Sequence, residues 1–455
     1  MASDPGFPAV ISGIGLFGPS LTTGAMAGAV SDQAWLAAML RFESELALAQ
    51  AELGLIPPEA AGAIALACAQ AGFDVDELGR AAMRSANPVV PLVKALIQAV
   101  GPAAGSHAHF GTTSQDALDT ATMLVAREAL EVLGDELDGL AAACAQLADR
   151  HRGTLMAGRT LMQQAVPVTF GLKASGWLTA LVDCRRSLTQ YRQHRLAVQF
   201  GGAAGNLSAL GERGLEVTAA LALRLGLAEP VTTWHSDRTR IVELAGLLAA
   251  IGGAAGKVAL DVILLAQTEV AELAERAPGG SSAMPHKQNP VAAIEADTCV
   301  RLLLGQVQVL IGSQRTEHER AAGAWQAESP AITNAFLLAA GVVARTRQSL
   351  EGLRVDGERM RRNLDSTGGL LMAESLTAVL AAKLGRARAR EVVESCAARA
   401  CESGTAFRLE AMADPLIAGP LNSEAVAGAL DPTRYLGATG ALIDRALAHY
   451  RKEIS

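Results

Sequence analysis

Aromatic residues make up only 4% of this 455-residue chain, and Asp, Glu, Lys and Arg together only 19%. The first scarcity argues against a sheet rich in aromatic and β-branched residues and for Ala, Leu, Val and Ile packed along helices. The second is not a sign of disorder, because half of the residues are hydrophobic. There is no basic excess: 39 Lys and Arg against 46 Asp and Glu leave a net charge of −7. That balance excludes a general nucleic-acid or membrane-surface binder and leaves room for a local basic pocket. The six cysteines (Cys68, Cys144, Cys184, Cys299, Cys396, Cys401) show no CxxC spacing. Neither a zinc ribbon nor a disulfide framework is indicated, and a reducing compartment fits. No positive n-region precedes the Ala-rich N-terminal stretch, since Arg41 is the first basic residue, so a cytoplasmic protein is expected. The longest uncharged apolar run, Leu244 to Gly256, falls short of the roughly 20 residues that span a bilayer, so no membrane association is expected. HExxH, clustered carboxylates and a GxGxxG in a strand-to-helix setting are missing, and His286 has no nearby ligand companions. No metal or organic cofactor is therefore expected.

The chain exceeds the roughly 250 to 300 residues of a single core, so more than one domain is expected. From Ser31, the residues Trp35, Leu36, Met39, Leu40, Leu46 and Leu48 recur at helical spacing until Gly54 and Pro57 stop them. Short helices punctuated by Gly and Pro continue to about residue 110. Five long stretches follow, near 114 to 150, 168 to 198, 235 to 276, 290 to 320 and 330 to 353, each beyond the usual helix of about 11 to 12 residues. In the third, Ile241, Leu244, Leu248, Ile251, Ala255, Val258, Val262 and Leu265 form a heptad seam. At about 1.5 Å per residue this seam is a rod of roughly 36 Å. Gly246, Gly252, Gly253 and Gly256 suit close helix approach. A helix this apolar belongs inside a bundle, and a bundle between subunits is its natural home, so an oligomer is expected. The fold class reads as all-α, with an N-terminal helical domain over 1–110, a central long-helix bundle over 111–353 and a small C-terminal helical domain over 354–455.

The segment with most chemistry is GGSSAMPHKQNP, residues 279–290. Two glycines permit a mobile loop, Ser281 and Ser282 supply hydroxyls, Lys287 a cation and Asn289 amide donors, while Pro290 opens the next helix. Together they describe an anion site beside a hydroxyl able to transfer a proton. The plainer alternative is a solvated Gly/Ser turn with a surface lysine.

This string resembles the signature loop of the fumarase/aspartase superfamily. HFGTTSQDALDTA (109–121) and GRTLMQQAVPVTFG (158–171) are similar to that family's first and second conserved regions. VQFGGAAGNLSALG, WHSDRTRIVELAG, QTEVAEL, EHERAAGAWQAE and DPTRYLGATGALIDRAL resemble in particular the branch that acts on carboxymuconate. The resemblance covers nearly the whole chain and implies a three-domain, mostly helical fold and a homotetramer with sites shared between subunits. It also implies roles: Ser281 as catalytic serine, Lys287 and Asn289 as stabilisers of carboxylate and enolate, Thr113 and Ser114 as substrate-carboxylate binders, Gln163 as a substrate-contacting amide, His109 as a site histidine and Arg320 as an arginine reaching substrate from another subunit. Ser282 lies beside the serine as a further substrate contact. Plainer alternatives stay open at three of these: Ser114 as an N-cap, His109 as a satisfied structural histidine, and Arg320 paired with Glu317 or Glu319. Asp116 reads as a brace for the turn or a cap, and Arg238 and Arg240 as weaker site candidates.

Many superfamily lyases carry a histidine after the GRT triplet, paired with a glutamate seven residues past the loop lysine. Here those positions are Leu161 and Ile294, with Glu295 displaced by one residue, roughly 100 degrees around a helix. Expelling an amine or hydroxide needs such an acid, whereas expelling a carboxylate, whose conjugate acid has a pKa of about 4, does not. The expected substrate is thus a small di- or tricarboxylate with an intrinsically good leaving group. Lactone formation by 3-carboxy-cis,cis-muconate cycloisomerases meets that condition, and so does loss of nitrite from nitrosuccinate. Amine-releasing lyases rank below both, and a catalytically inactive structural relative is the alternative from another class. Three departures from the carboxymuconate branch bear on substrate: Gln288 in place of an arginine, WQAES (325–329) in place of WHAEW, and Asn206 in place of a threonine.

Overall fold

A computed structural model describes residues 16–280 and 284–454, and each long periodic stretch contains one long helix. Ser31 caps the first, Asp32–Glu52, its hydroxyl accepting from Ala34 N at 3.2 Å, with Asp32 in the first turn where the helix dipole favours negative charge. Gly54 (φ 69°) ends that segment, and Pro58 opens Pro58–Gln70. The five longest helices are Ser114–Arg150, Phe170–His194, Thr239–Leu265, Val291–Gly312 and Ala324–Leu350. All eight seam residues of Thr239–Leu265 are at most 4% exposed.

The seam glycines divide in two. A Cβ on Gly252 would lie 2.5 Å from Leu303, and one on Gly256 2.5 Å from Val300, so these two glycines let Val291–Gly312 come close. Gly246 and Gly253 face open space instead. Several helix boundaries differ from the sequence expectation, Val291–Gly312 stopping short of 320 among them, and two have a local cause. Thr239–Leu265 stops well before 276, because Ala271 takes φ 51° and Glu272 N returns to the Leu265 carbonyl at 2.8 Å. Ala324–Leu350 begins ahead of Pro330 and carries it internally, at the cost of the helical bond that the Gln326 carbonyl would have received.

Strands are few. Leu155–Thr160 (β1) and Gln163–Thr169 (β2) pair antiparallel, and Leu273–Ala274 pairs with Arg354–Val355. Leu161 (φ 50°) and Met162 (φ 65°) form the two-residue tip of the hairpin between Thr160 and Gln163. A mirror-image turn of this kind normally selects Asn-Gly, because bulky side chains at positive φ are strained.

The chain divides into two compact units, Met1–Asp138 with Asp183–Gly256 and Glu295–Arg345, and Gly139–Val182 with Lys257–Ile294 and Thr346–Ser455. Part of the first unit's core packs Ala47, Ile56, Ile64 and Leu96. In the second, Leu376, Val393, Cys396, Phe407 and Ile417 gather under the C-terminal helices. Two helices, Thr239–Leu265 and Ala324–Leu350, are long and apolar enough to cross a membrane by length and composition, which corrects the shorter span read from the charge-free run alone. More than half of each apolar window, 56% and 67%, is buried inside the protein.

Candidate active site

In the first unit Asp116 organises the candidate carboxylate turn. Its buried carboxylate accepts five hydrogen bonds: from Thr112 Oγ1 and Thr113 N, both at 3.0 Å, from Gly201 N and Gly202 N, both at 2.9 Å, and from His235 Nε2 at 2.6 Å. Asp116 therefore braces the turn, as its position suggested. The same carboxylate ties the turn to the loop at Gly201, where a Cβ would stand 2.8 Å from Thr233 and 2.9 Å from His235. The helical bonds from Asp116 N and Ala117 N end on the Thr113 carbonyl, so Thr113 occupies the cap position and Ser114 is the first helical residue. The N-cap alternative for Ser114 is thereby replaced.

Arg320 meets this turn. Its guanidinium donates to Thr113 Oγ1 at 2.7 Å and to Ser114 Oγ at 3.3 Å, within one chain, rather than pairing with Glu317 or Glu319. Both hydroxyls act as acceptors toward Arg320, which leaves their own hydrogens free to donate. A cation, two hydroxyl donors and a helix N-terminus thus converge on one spot, the combination that holds a carboxylate.

His109 lies just before the turn with its backbone in the left-handed region (φ 57°), and its Nδ1 is 2.6 Å from Glu43 Oε1. Burial alone lowers the pKa of the imidazole; the charge and hydrogen bond of Glu43, joined by Asp116, outweigh burial and raise it. Arg238, a weaker site candidate, turns out to be part of the structural core. Fully buried, it donates to Asp119 at 2.8 and 2.9 Å and to both oxygens of Glu328. Burial lifts the Glu328 carboxyl to about 7, the Arg238 bonds oppose that, and the Asp119 charge adds to it. Arg240 donates to the Arg195 carbonyl at 2.8 Å. Gln326 and Ser329, two of the departures in WQAES, line a cavity of about 750 Å³ with Trp35, Arg80 and Trp325.

The remaining candidates belong to the second unit. Gly279 and Asn289 exchange backbone hydrogen bonds at 2.9 and 3.0 Å, closing the base of the signature loop. Gly279 is required there, because a Cβ would reach 2.2 Å from Val291. Glu275, buried, accepts from Ala292 N and Ala293 N at 3.2 and 3.0 Å and from Ser349 Oγ at 2.6 Å, anchoring the helix that leaves the loop. Lys287 is exposed, whereas Ser281 and Ser282 lie outside the described residues. Gln163 is exposed beside the hairpin tip. Leu161 is 96% exposed and Ile294 44%, while Glu295 pairs with Arg345 at 3.3 Å within the first unit. Among the described residues no three His, Cys, Asp or Glu side chains are grouped to hold a metal ion.

Sequence reasoning missed His235, Glu43 and Glu275. His235 stands inside the string WHSDR, which was matched as part of a whole; Glu275 lies two residues past QTEVAEL, and nothing local marks it or Glu43.

A lyase family profile matches residues 20–308, and the adenylosuccinate lyase C-terminal profile matches residues 369–446. The chain belongs to this lyase family and is an enzyme of the fumarase/aspartase superfamily. It is 43% identical over 438 residues to the 3-carboxy-cis,cis-muconate cycloisomerase of Bradyrhizobium diazoefficiens, spanning 95% of this chain and 97% of that protein. It is equally 43% identical over 447 residues to the nitrosuccinate lyase of Streptomyces davaonensis, spanning 95% and 94%. The crystal structure of 3-carboxy-cis,cis-muconate lactonizing enzyme from Pseudomonas putida matches it with a TM-score of 0.89 and 39% identity, over 97% of this chain and 100% of that one.

Proposed function

We propose that the enzyme interconverts 3-carboxy-cis,cis-muconate and 4-carboxymuconolactone, working in the cytoplasm as a homotetramer without a cofactor. One observation carries this reading. A carboxylate-binding turn, built from Thr113, Ser114 and Arg320, occurs in a chain whose exposed Leu161 and Ile294 stand where an amine- or water-expelling lyase keeps its acid pair. An enzyme so equipped suits a reaction in which the nucleophile or leaving group is itself a carboxylate.

In the lactonising direction one substrate carboxylate adds to the diene, and electron density moves toward another carboxylate to form an aci-carboxylate. Lys287 and Asn289 stabilise that charge, and Ser281 delivers its proton to carbon and regains one from solvent, so the substrate anion takes up one proton overall as one carboxylate becomes the lactone ester. Thr113, Ser114 and Arg320 hold a carboxylate away from the reacting bond, Ser282 and Gln163 contact the substrate, and His109 contributes to the anion site. Loop closure would exclude water and activate the serine.

Support for the tetramer comes from apolar surface on Val291–Gly312, where Leu302, Leu304, Val309 and Ile311 are 42–51% exposed, and from the open faces of Gly246 and Gly253. The three-domain division at 110 and 353 belongs to the same reading.

A second reading is elimination of nitrite from nitrosuccinate to give fumarate. It is favoured by Gln288, Gln326 and Ser329, which remove a cation and a histidine from a site meant for a tricarboxylate, and by the equal 43% identity to a nitrosuccinate lyase. The deciding test is spectrophotometric. Loss of conjugated-diene absorbance from 3-carboxy-cis,cis-muconate, abolished in Ser281→Ala, is the expected outcome. No loss with a folded protein, together with fumarate released from nitrosuccinate, would select the second reading. Turnover of neither would point to an inactive relative. Sedimentation as an active monomer would contradict shared sites.

A further inference from the structure

Glu43 is a buried carboxylate that the proposed chemistry leaves unused. It stands on Asp32–Glu52 with its side chain 1% exposed, and its Oε2 has no hydrogen-bond partner. Cys68, on Pro58–Gln70, is no counter-ion for it: burial, and then the Glu43 charge, push that thiol up to about 12. Placing a carboxylate in such surroundings is unfavourable unless a donor or cation meets it. What meets it is His109 Nδ1, at 2.6 Å.

The rest of the local structure holds this ring in place. His109 keeps its left-handed backbone (φ 57°), a strained conformation that persists only when its surroundings enforce it. Gln50, on the same helix as Glu43, donates from Nε2 to the Phe110 carbonyl at 2.7 Å and pins the next residue. With Nδ1–H given to Glu43, Nε2 becomes the ring atom available for other work. Asp116, which ties down Thr113, acts on the same imidazole through its charge, and His235 in turn binds Asp116.

We propose that Glu43 is a positioning residue that fixes the tautomer of His109 and supports positive charge on it, so that Nε2–H donates to a substrate carboxylate beside Arg320, Thr113 and Ser114. The proposal rests on reading that turn as a carboxylate site. It places a second cation there in a chain that carries Gln288 and Gln326 where its branch has an arginine and a histidine. The groups that set the charge of His109 are then Glu43 and Asp116, with Cys68 and His235 one contact further out.

The test uses the full-length protein and tricarballylate, an unreactive tricarboxylate, with binding followed by calorimetry across pH. In the wild type, binding should weaken as pH rises and His109 loses its proton. Glu43→Gln should weaken binding by about tenfold near neutral pH and move the midpoint of the pH dependence downward by about one unit, the loss of one charge-assisted hydrogen bond. In a His109→Gln background the same substitution should add less than about twofold, because it acts through the ring. Glu43→Asp, one methylene shorter, serves if Glu43→Gln does not fold, and should shift the midpoint in the same direction. An unchanged midpoint in the Glu43 variants, or a full additional loss in His109→Gln, would overturn the proposal. Failure of the wild type to bind, or no effect of Arg320→Ala, would instead remove the carboxylate reading beneath it.

Discussion

Replacing Asp116 with Asn changes almost nothing in shape and a great deal in hydrogen bonding. The carboxylate accepts from five donors, three on Oδ2 and two on Oδ1. An amide oxygen turned to Thr112, Thr113 and Gly202 keeps those three bonds but without the charge. Its NH2 then opposes Gly201 N–H, while His235 can still be served if the ring changes tautomer. Charge-assisted bonds contribute roughly 1 kcal/mol more than neutral ones, and two buried donors, Gly201 N–H and the partnerless His235 Nδ1–H, are left unmet, so the loss is at least about 4 kcal/mol. That is close to a thousandfold in a local opening equilibrium. Hydrogen exchange resolved at the amides of Thr113, Gly201 and Gly202 measures it directly. All three should lose protection together in Asp116→Asn, and weaker carboxylate binding should accompany the loss because Thr113 and Ser114 ride on the same turn. Protection unchanged at those amides would refute the idea that this carboxylate holds the turn.

Gly341→Ala would bring a Cβ within 2.2 Å of the Leu21 carbonyl, so thermal unfolding should show a loss of about 2–3 kcal/mol; Gly62→Ala, with no neighbour within 4 Å, should be neutral or slightly stabilising. Glu328 has its carboxyl raised from 4.5 to about 7, so the folded state binds its proton more tightly than the unfolded one. Its stabilising contribution is full below pH 4.5 and is lost as pH rises through about 7. The thermal midpoint should therefore fall between about pH 5 and pH 8, and Glu328→Gln should flatten that slope; an equally steep slope in the variant would assign it to another group. Leu161→Asn combined with Met162→Gly should relieve two positive-φ side chains and stabilise the β1–β2 hairpin by about 1–3 kcal/mol, readable as slower exchange of its amides.

Helix placement was legible wherever local chemistry decided it. Ser31 before an apolar-periodic run, Gly54 with Pro57 after it, and the seam from Ile241 to Leu265 each named their structure. Pro330 misled, because an internal proline reads as a start when the packing that tolerates it is out of view. The hairpin at Leu155–Thr169 gave no turn signal, since Leu161 and Met162 sit where Asn and Gly are usual. Within the candidate site, the turn at Thr113 and the signature loop were visible through their resemblance to known lyases. The partners were not: Glu43 reaches His109 across 66 positions and Asp119 reaches Arg238 across 119, and one sequence holds no trace of such pairings. Arg320 was named as a candidate, but its contacts with Thr113 and Ser114, rather than with the acids beside it, emerged only in three dimensions.

The hairpin tip bears on how this lineage changes chemistry. Thr160 and Gln163 set the register on either side of it, and Leu161, 96% exposed, packs on almost nothing within its own chain. Apart from the strain of its positive φ, the packing around it is therefore indifferent to what the side chain is. A single codon can exchange an acid-bearing residue for an inert one at this position without asking the core to repack, and the new group arrives at the same point in space. A change of chemistry at this point can then run ahead of any change in architecture, at a cost confined to the hairpin tip.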